Sequence, residues 1–150
     1  MITSHFYVKD ASCKTYHLRP FGDIQEGSVG LDKELFKQYV KAVQSDPEGF
    51  TVGMGDMTDS FRPTIQHRLI STFNDDDGSR DEFYDIHRRH MIKVAEMLAP
   101  VISAGRGCLG LFDGHHFMRY LDTGMTSTQY LCQVLKDMTK RSVPYLGEMS

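Results

Sequence analysis

Apolar residues recur along this chain at two alternating spacings. Leu31, Leu35, Phe36, Tyr39, Val40 and Val43 fall at three- and four-residue steps, with Lys33, Lys37 and Lys41 on the other side, which predicts an amphipathic helix. Ser45-Asp46-Pro47-Glu48-Gly49 stops it, and the apolar run Phe50-Thr51-Val52-Gly53-Met54 predicts a strand. Upstream, Tyr16 to Phe21 predicts another strand, interrupted by Arg19 and Pro20 and ended by Gly22. Downstream, Asp81 stands as a helix cap before a long stripe of Phe83, Ile86, His90, Val94, Met97, Leu98 and Val101, with Pro100 in the last turn. Cys108-Leu109-Gly110-Leu111-Phe112 is the clearest strand. Thr126 or Ser127 caps a further helix carrying Tyr130, Leu131, Val134, Leu135 and Met138, and Val143 to Leu146 begins one more extended segment. This βαβαβα order predicts an α/β fold, a layered and mostly parallel sheet flanked by helices, in a single domain over 1–150. A polar loop and the long helix form an insertion at about 60–104.

Composition narrows the setting. A chain of 150 residues is long enough to bury roughly 70% of its unfolded surface. A net charge of −3 gives no overall attraction for nucleic acid, so a polyanion would need metals or a local basic patch. Cys13, Cys108 and Cys132 show no C-x-x-C spacing, which argues against a disulfide framework and against structural zinc. With no signal-like start and no apolar run of about 18 residues, the expected location is the cytoplasm, with no membrane partner.

Each strand is followed by a chemically distinctive turn: Gly22-Asp23-Ile24-Gln25, Gly55-Asp56-Met57-Thr58-Asp59 and Gly114-His115-His116-Phe117-Met118-Arg119. Parallel sheets bind ligands just beyond the carboxyl ends of their strands. Two carboxylates with an amide and imidazoles suit divalent ions such as Mn²⁺, Fe²⁺, Zn²⁺ or Mg²⁺, and two ions sharing a hydroxide suit attack on phosphorus.

In order and spacing these turns resemble the D-x-H, G-D-x-x-D and G-N-H-[ED]-x-R motifs of the calcineurin-like metallophosphoesterases, in particular their phage and bacterial branch. The resemblance implies half of a four-layer sandwich and metal-dependent hydrolysis of phosphoester bonds, as in a phosphatase or nuclease, on a substrate such as a nucleotide or nucleic acid. It implies two divalent ions, Mn²⁺ first among them. By residue it implies Asp23 and Gln25 at one ion, Asp56 bridging both, His115 at the second, and His116 as the catalytic group assisting the leaving oxygen. Asp59 and Arg119 would pair behind them to brace the loop. Gln25 replaces the histidine of the first motif and His115 the asparagine of the third. No histidine follows His116, whereas the family carries further histidine ligands there. The chain therefore looks like an amino-terminal half, completed by another polypeptide or by self-association. A virus-encoded protein in the host cytoplasm fits the branch.

The alternative is a non-catalytic half-domain that serves as a binding or assembly module. Other clusters have simpler readings. His87 and His90 beside Arg88 and Arg89 suggest a solvated basic face. Asn74 to Gly78 fails the spacing of a calcium loop and reads as a flexible acidic turn. Lys14, Arg19, Arg62, Arg68 and Arg80 read as scattered surface charge, and Cys108 and Cys132 as buried, inert thiols.

Overall fold

In a computed structural model, which describes residues 15–26, 28–58 and 79–148, four strands and three helices alternate. They are β1 (His17–Phe21), α1 (Lys33–Gln44), β2 (Gly49–Gly53), α2 (Ser79–Ile102), β3 (Gly107–Asp113), α3 (Ser127–Thr139) and β4 (Tyr145–Glu148). The sheet order is β1-β2-β3-β4 and every pairing is parallel. The expectations for Cys13, Lys14, Asp59, the segment 60–78 and the side chain of Arg80 lie outside the described residues.

A sheet that grows in one direction through right-handed crossovers must stack its helices on one face. That is the arrangement here, with α2 lying between α1 and α3. Val43 of α1, Met91, Val94, Leu98 and Val101 of α2, and Leu131 and Leu135 of α3 meet Phe21 and Leu111 of the sheet in one core. Burying a side chain of this size stabilises by about 1.5–3 kcal/mol, so this face supplies most of the cohesion. The opposite face follows from strand alternation: Leu18, Phe50, Val52 and Phe112 fall between the helix-facing residues and outside that core. Leu18 is 59% exposed. Among the described residues no helix packs there.

Local sequence explains the boundaries. Asp32 caps α1 by accepting from the Glu34 and Leu35 N–H groups. Thr126, one of the two expected caps, starts α3 with a reciprocal capping box to Gln129, and Lys140 ends it in a left-handed conformation. Asp46, in the turn after α1, accepts from His17 at 2.9 Å and from Arg19 at 2.8 Å, tying edge strand β1 down. Burial would raise the Asp46 pKa, but the hydrogen bonds and charges of Arg19 and His17 outweigh it and hold the carboxyl below its usual range.

Two expectations for α2 are corrected. Asp81 lies in its first turn rather than at its cap, because the helix already begins at Ser79. The expected stripe holds in the carboxyl-terminal half, where Val94, Leu98 and Val101 are buried, but turns in the amino-terminal half: Ile86 is 52% exposed, while Tyr84 and Met91 are buried. The stripe turns because the amino-terminal half of α2 meets a second small core of Tyr84, Met118 and Tyr120, away from the sheet.

His87 packs against Tyr120 at the margin of that second core, so of the solvated basic face expected around it only Arg89 is exposed. The His87 Nδ1 lies 2.7 Å from the Tyr120 hydroxyl, Arg88 stacks 4.7 Å from the Tyr120 ring centroid and pairs with Asp122, and His90 lies 2.7 Å from Glu26. Burial first, then the charges of His90 and Arg88, pushes the His87 pKa down to about 4. A histidine held neutral in the fold but protonated when unfolded stabilises fully above about pH 6.5. That stability drains away as pH falls toward 4, by at most about 1.4 kcal/mol per unit. Thermal melts should therefore show a lower Tm at pH 5 than at pH 7.5, and His87→Gln should flatten that dependence. An unchanged slope in the variant would refute the assignment.

Candidate functional site at the carboxyl end of the sheet

The three motif turns meet at one end of the sheet. Parallel pairing of β1 and β2 runs on past the strands: Asp23, Gln25 and Glu26 donate their N–H groups to the carbonyls of Gly55, Asp56 and Met57 at 3.0–3.1 Å. Each acceptor lies in the second turn, so the first and second turns travel together. The second and third touch through glycines. Gly55 has φ +95°, and a Cβ there would stand 2.5 Å from the backbone of Gly114. A Cβ on Gly114 would in turn collide with the Asp56 carboxylate.

That close approach lets Asp56 reach across. Its Oδ1 accepts the His116 backbone N–H at 2.8 Å, and its Oδ2 lies 3.7 Å from His115 Nδ1. In the first turn, Gln25 Nε2 donates to Asp23 Oδ1 at 2.6 Å. Asp23, Gln25 and Asp56 all have left-handed backbones, with φ of 51°, 48° and 51°. Asp tolerates that region better than Gln, and such conformations cost on the order of 1–3 kcal/mol where the surroundings enforce them.

The third turn also has an anchor that the motif does not show. Asp113, the last residue of β3, is fully buried; its Oδ1 accepts from the Thr126 hydroxyl at 3.2 Å and its Oδ2 from the Tyr145 hydroxyl at 2.5 Å. Burial pushes its carboxyl above the ordinary range, while the hydroxyls of Thr128, Tyr145 and Thr126 pull it back. Burial and then the Asp113 carboxylate raise the Tyr145 hydroxyl to about 12. An Asp directly before Gly114 was the available sequence signal, but its partners lie 13 and 32 residues away. Arg119 forms an isolated bridge with Thr126 and pairs with Glu148 at 3.4 Å; its expected partner Asp59 lies outside the described residues.

The donor set tests the expected metal. Asp56 and His115 stand together, and Asp23 and Gln25 stand together. Among the described residues, however, no three His, Cys, Asp or Glu side chains gather closely enough to hold an ion. One oxygen of each carboxylate is already engaged, by the Gln25 amide and the His116 N–H. These residues alone do not fit a two-ion centre.

The chain has an α/β fold whose three polar turns gather at one end of a four-stranded, all-parallel sheet. Comparison with protein-family models, curated proteins and solved structures returned no match. Among the described residues, no helix is long and apolar enough to cross a membrane.

The anchors carry two expected outcomes. Gly114→Ala should cost about 2–4 kcal/mol in urea unfolding, because its methyl group must displace the Asp56 carboxylate or backbone. Tyr145→Phe should cost about 1.5–3 kcal/mol by removing a hydrogen bond to a buried carboxylate. Wild-type stability in both variants would mean that the third turn is not held as described.

Proposed function

We propose that the chain carries the strand-end part of a phosphoester-hydrolysing site of the metallophosphoesterase kind. The observation that carries this reading is the convergence of all three motif turns, with Asp56 crossing from the second turn to His116 of the third. A parallel sheet ordered β1-β2-β3 brings any such turns to one end; the close approach of Gly55 to Gly114 and the reach of Asp56 across it are what this chain adds.

In this reading, Asp56 fixes the third turn and keeps its second oxygen beside the imidazole of His115. Asp23 and Gln25 form the adjoining wall. His116, whose main chain Asp56 holds, is the group that protonates the leaving oxygen. Two divalent ions, Mn²⁺ first among them, would supply the charge that activates water, but their cages take more donors than the described residues bring together. Another polypeptide or a second copy of this chain would bring them. On the sheet face away from the helices, Leu18 is 59% exposed and Phe50 and Phe112 are partly buried, which leaves room for the second layer of a half-sandwich architecture. Nucleotides and nucleic acid remain the substrate classes of this reading, and the cytoplasm of a virus-infected host its setting.

The second reading is a non-catalytic binding or assembly module. Gln25 and His115, which replace the motif histidine and asparagine, are the marks of a decayed site on which it rests.

Elemental analysis and hydrolysis separate the two. After dialysis against Mn²⁺ or Zn²⁺, the phosphoesterase reading expects stoichiometric metal and metal-dependent release of nitrophenol from bis(4-nitrophenyl) phosphate once the chain is assembled with the polypeptide or second copy that completes it. Asp56→Asn should lower both at least 100-fold and tenfold respectively for turnover and metal affinity. Background metal together with no turnover selects the binding module, and turnover that persists with chelator in Asp56→Asn would sink the proposal.

A further inference from the structure

Away from the strand ends, α1 and α2 enclose an apolar groove of about 560 Å³ on the helical layer. Phe36 and Val40 of α1 and Met97 and Pro100 of α2 line it, all partly buried and none sealed off. Lys33, Lys37 and Lys41 also line it, all three exposed, and Glu96 is the sole acidic side chain among its lining residues. The groove thus joins an apolar lining to an excess of positive charge.

The lysines are regularly placed. Four-residue steps on a helix repeat about every 6 Å along one side, so the three ammonium groups span about 12 Å. Lys37 has an exposed partner in Glu34 at 2.6 Å, a surface pair of the kind worth at most about 1 kcal/mol and easily exchanged. Among the described residues neither Lys33 nor Lys41 makes an ion pair.

We propose that this groove docks an acidic amphipathic helix of a partner protein, lying alongside α1. A helix carrying acids at four-residue steps next to an apolar stripe matches both the lysine repeat and the apolar lining. A fatty acid brings one charge and leaves two lysines unanswered. A flat membrane surface cannot reach residues recessed between two helices. A second copy of this chain is a poor occupant, because none of its described helices carries acids at three successive four-residue steps. The groove shares no residue with the turns at the strand ends.

The test uses the full chain, ¹⁵N-labelled, and two synthetic helical peptides with the same leucine stripe, one flanked by glutamates and the other by lysines. The glutamate peptide should shift the amides of Phe36, Val40 and Met97 and bind at least tenfold more tightly than the lysine peptide. The surface variant Lys33→Glu/Lys37→Glu/Lys41→Glu, with its native melt checked by circular dichroism, should reverse that order. Equal affinity for both peptides, shifts confined to other residues, or an unreversed preference in the triple variant would overturn the proposal. So would a groove that takes dodecanoate but neither peptide, or one closed by self-association in sedimentation experiments.

Discussion

Everything in this molecule hangs on a parallel sheet that grows in one direction. Parallel neighbours need crossovers, crossovers are right-handed, and a sheet ordered β1-β2-β3-β4 therefore receives α1, α2 and α3 on a single face. Three consequences follow together. The helices must pack on each other as well as on the sheet, which makes α2 the central member of the layer. The other face, with Leu18, Phe50, Val52 and Phe112, is left out of the helical core. All the strands point the same way, so the turns after β1, β2 and β3 emerge at one end.

That shared end is where backbone constraint is concentrated. Gly55 and Gly114 let two turns approach to a distance that no side chain allows, and the approach puts Asp56 within reach of the His116 N–H. Left-handed backbones at Asp23, Gln25 and Asp56 are held there by hydrogen bonds between turns rather than by their own preference. Asp113 secures the third turn from below through Thr126 and Tyr145, so a buried carboxylate in the core supports a candidate carboxylate at the surface. Backbone held in costly conformations at one end of a sheet is the kind of arrangement that positions chemistry, and it is the physical link between the fold and the proposed function.

The helical layer tells a different story. Its inner surface is consumed by the core, while its outer surface pairs an apolar groove with three lysines in register. The same helix α1 thus supplies Val43 to the interior and Phe36 and Val40 to both the core margin and the groove. The turns at the strand ends and the groove share no side chain, so substitutions in one leave the residues of the other in place.

Much of this was legible in the sequence. The three- and four-residue period of α1, the apolar run of β3, the breaks at Pro47 and Gly49 and the cap at Thr126 act within a few residues, and local patterns record local causes. The three turns were legible for the same reason, as glycines and polar groups directly after apolar runs. The face of α2 was not, because two stripes one residue apart are similarly apolar and only packing chose Tyr84 and Met91 over Ile86. Nor was the burial of His87 against Tyr120, 33 positions away, or the hydroxyl cage around Asp113. The sequence by itself determined which elements form and which chemical groups stand at their ends. Tertiary structure decided which groups meet, because a side chain's charge, burial and partners depend on contacts that sequence distance does not encode.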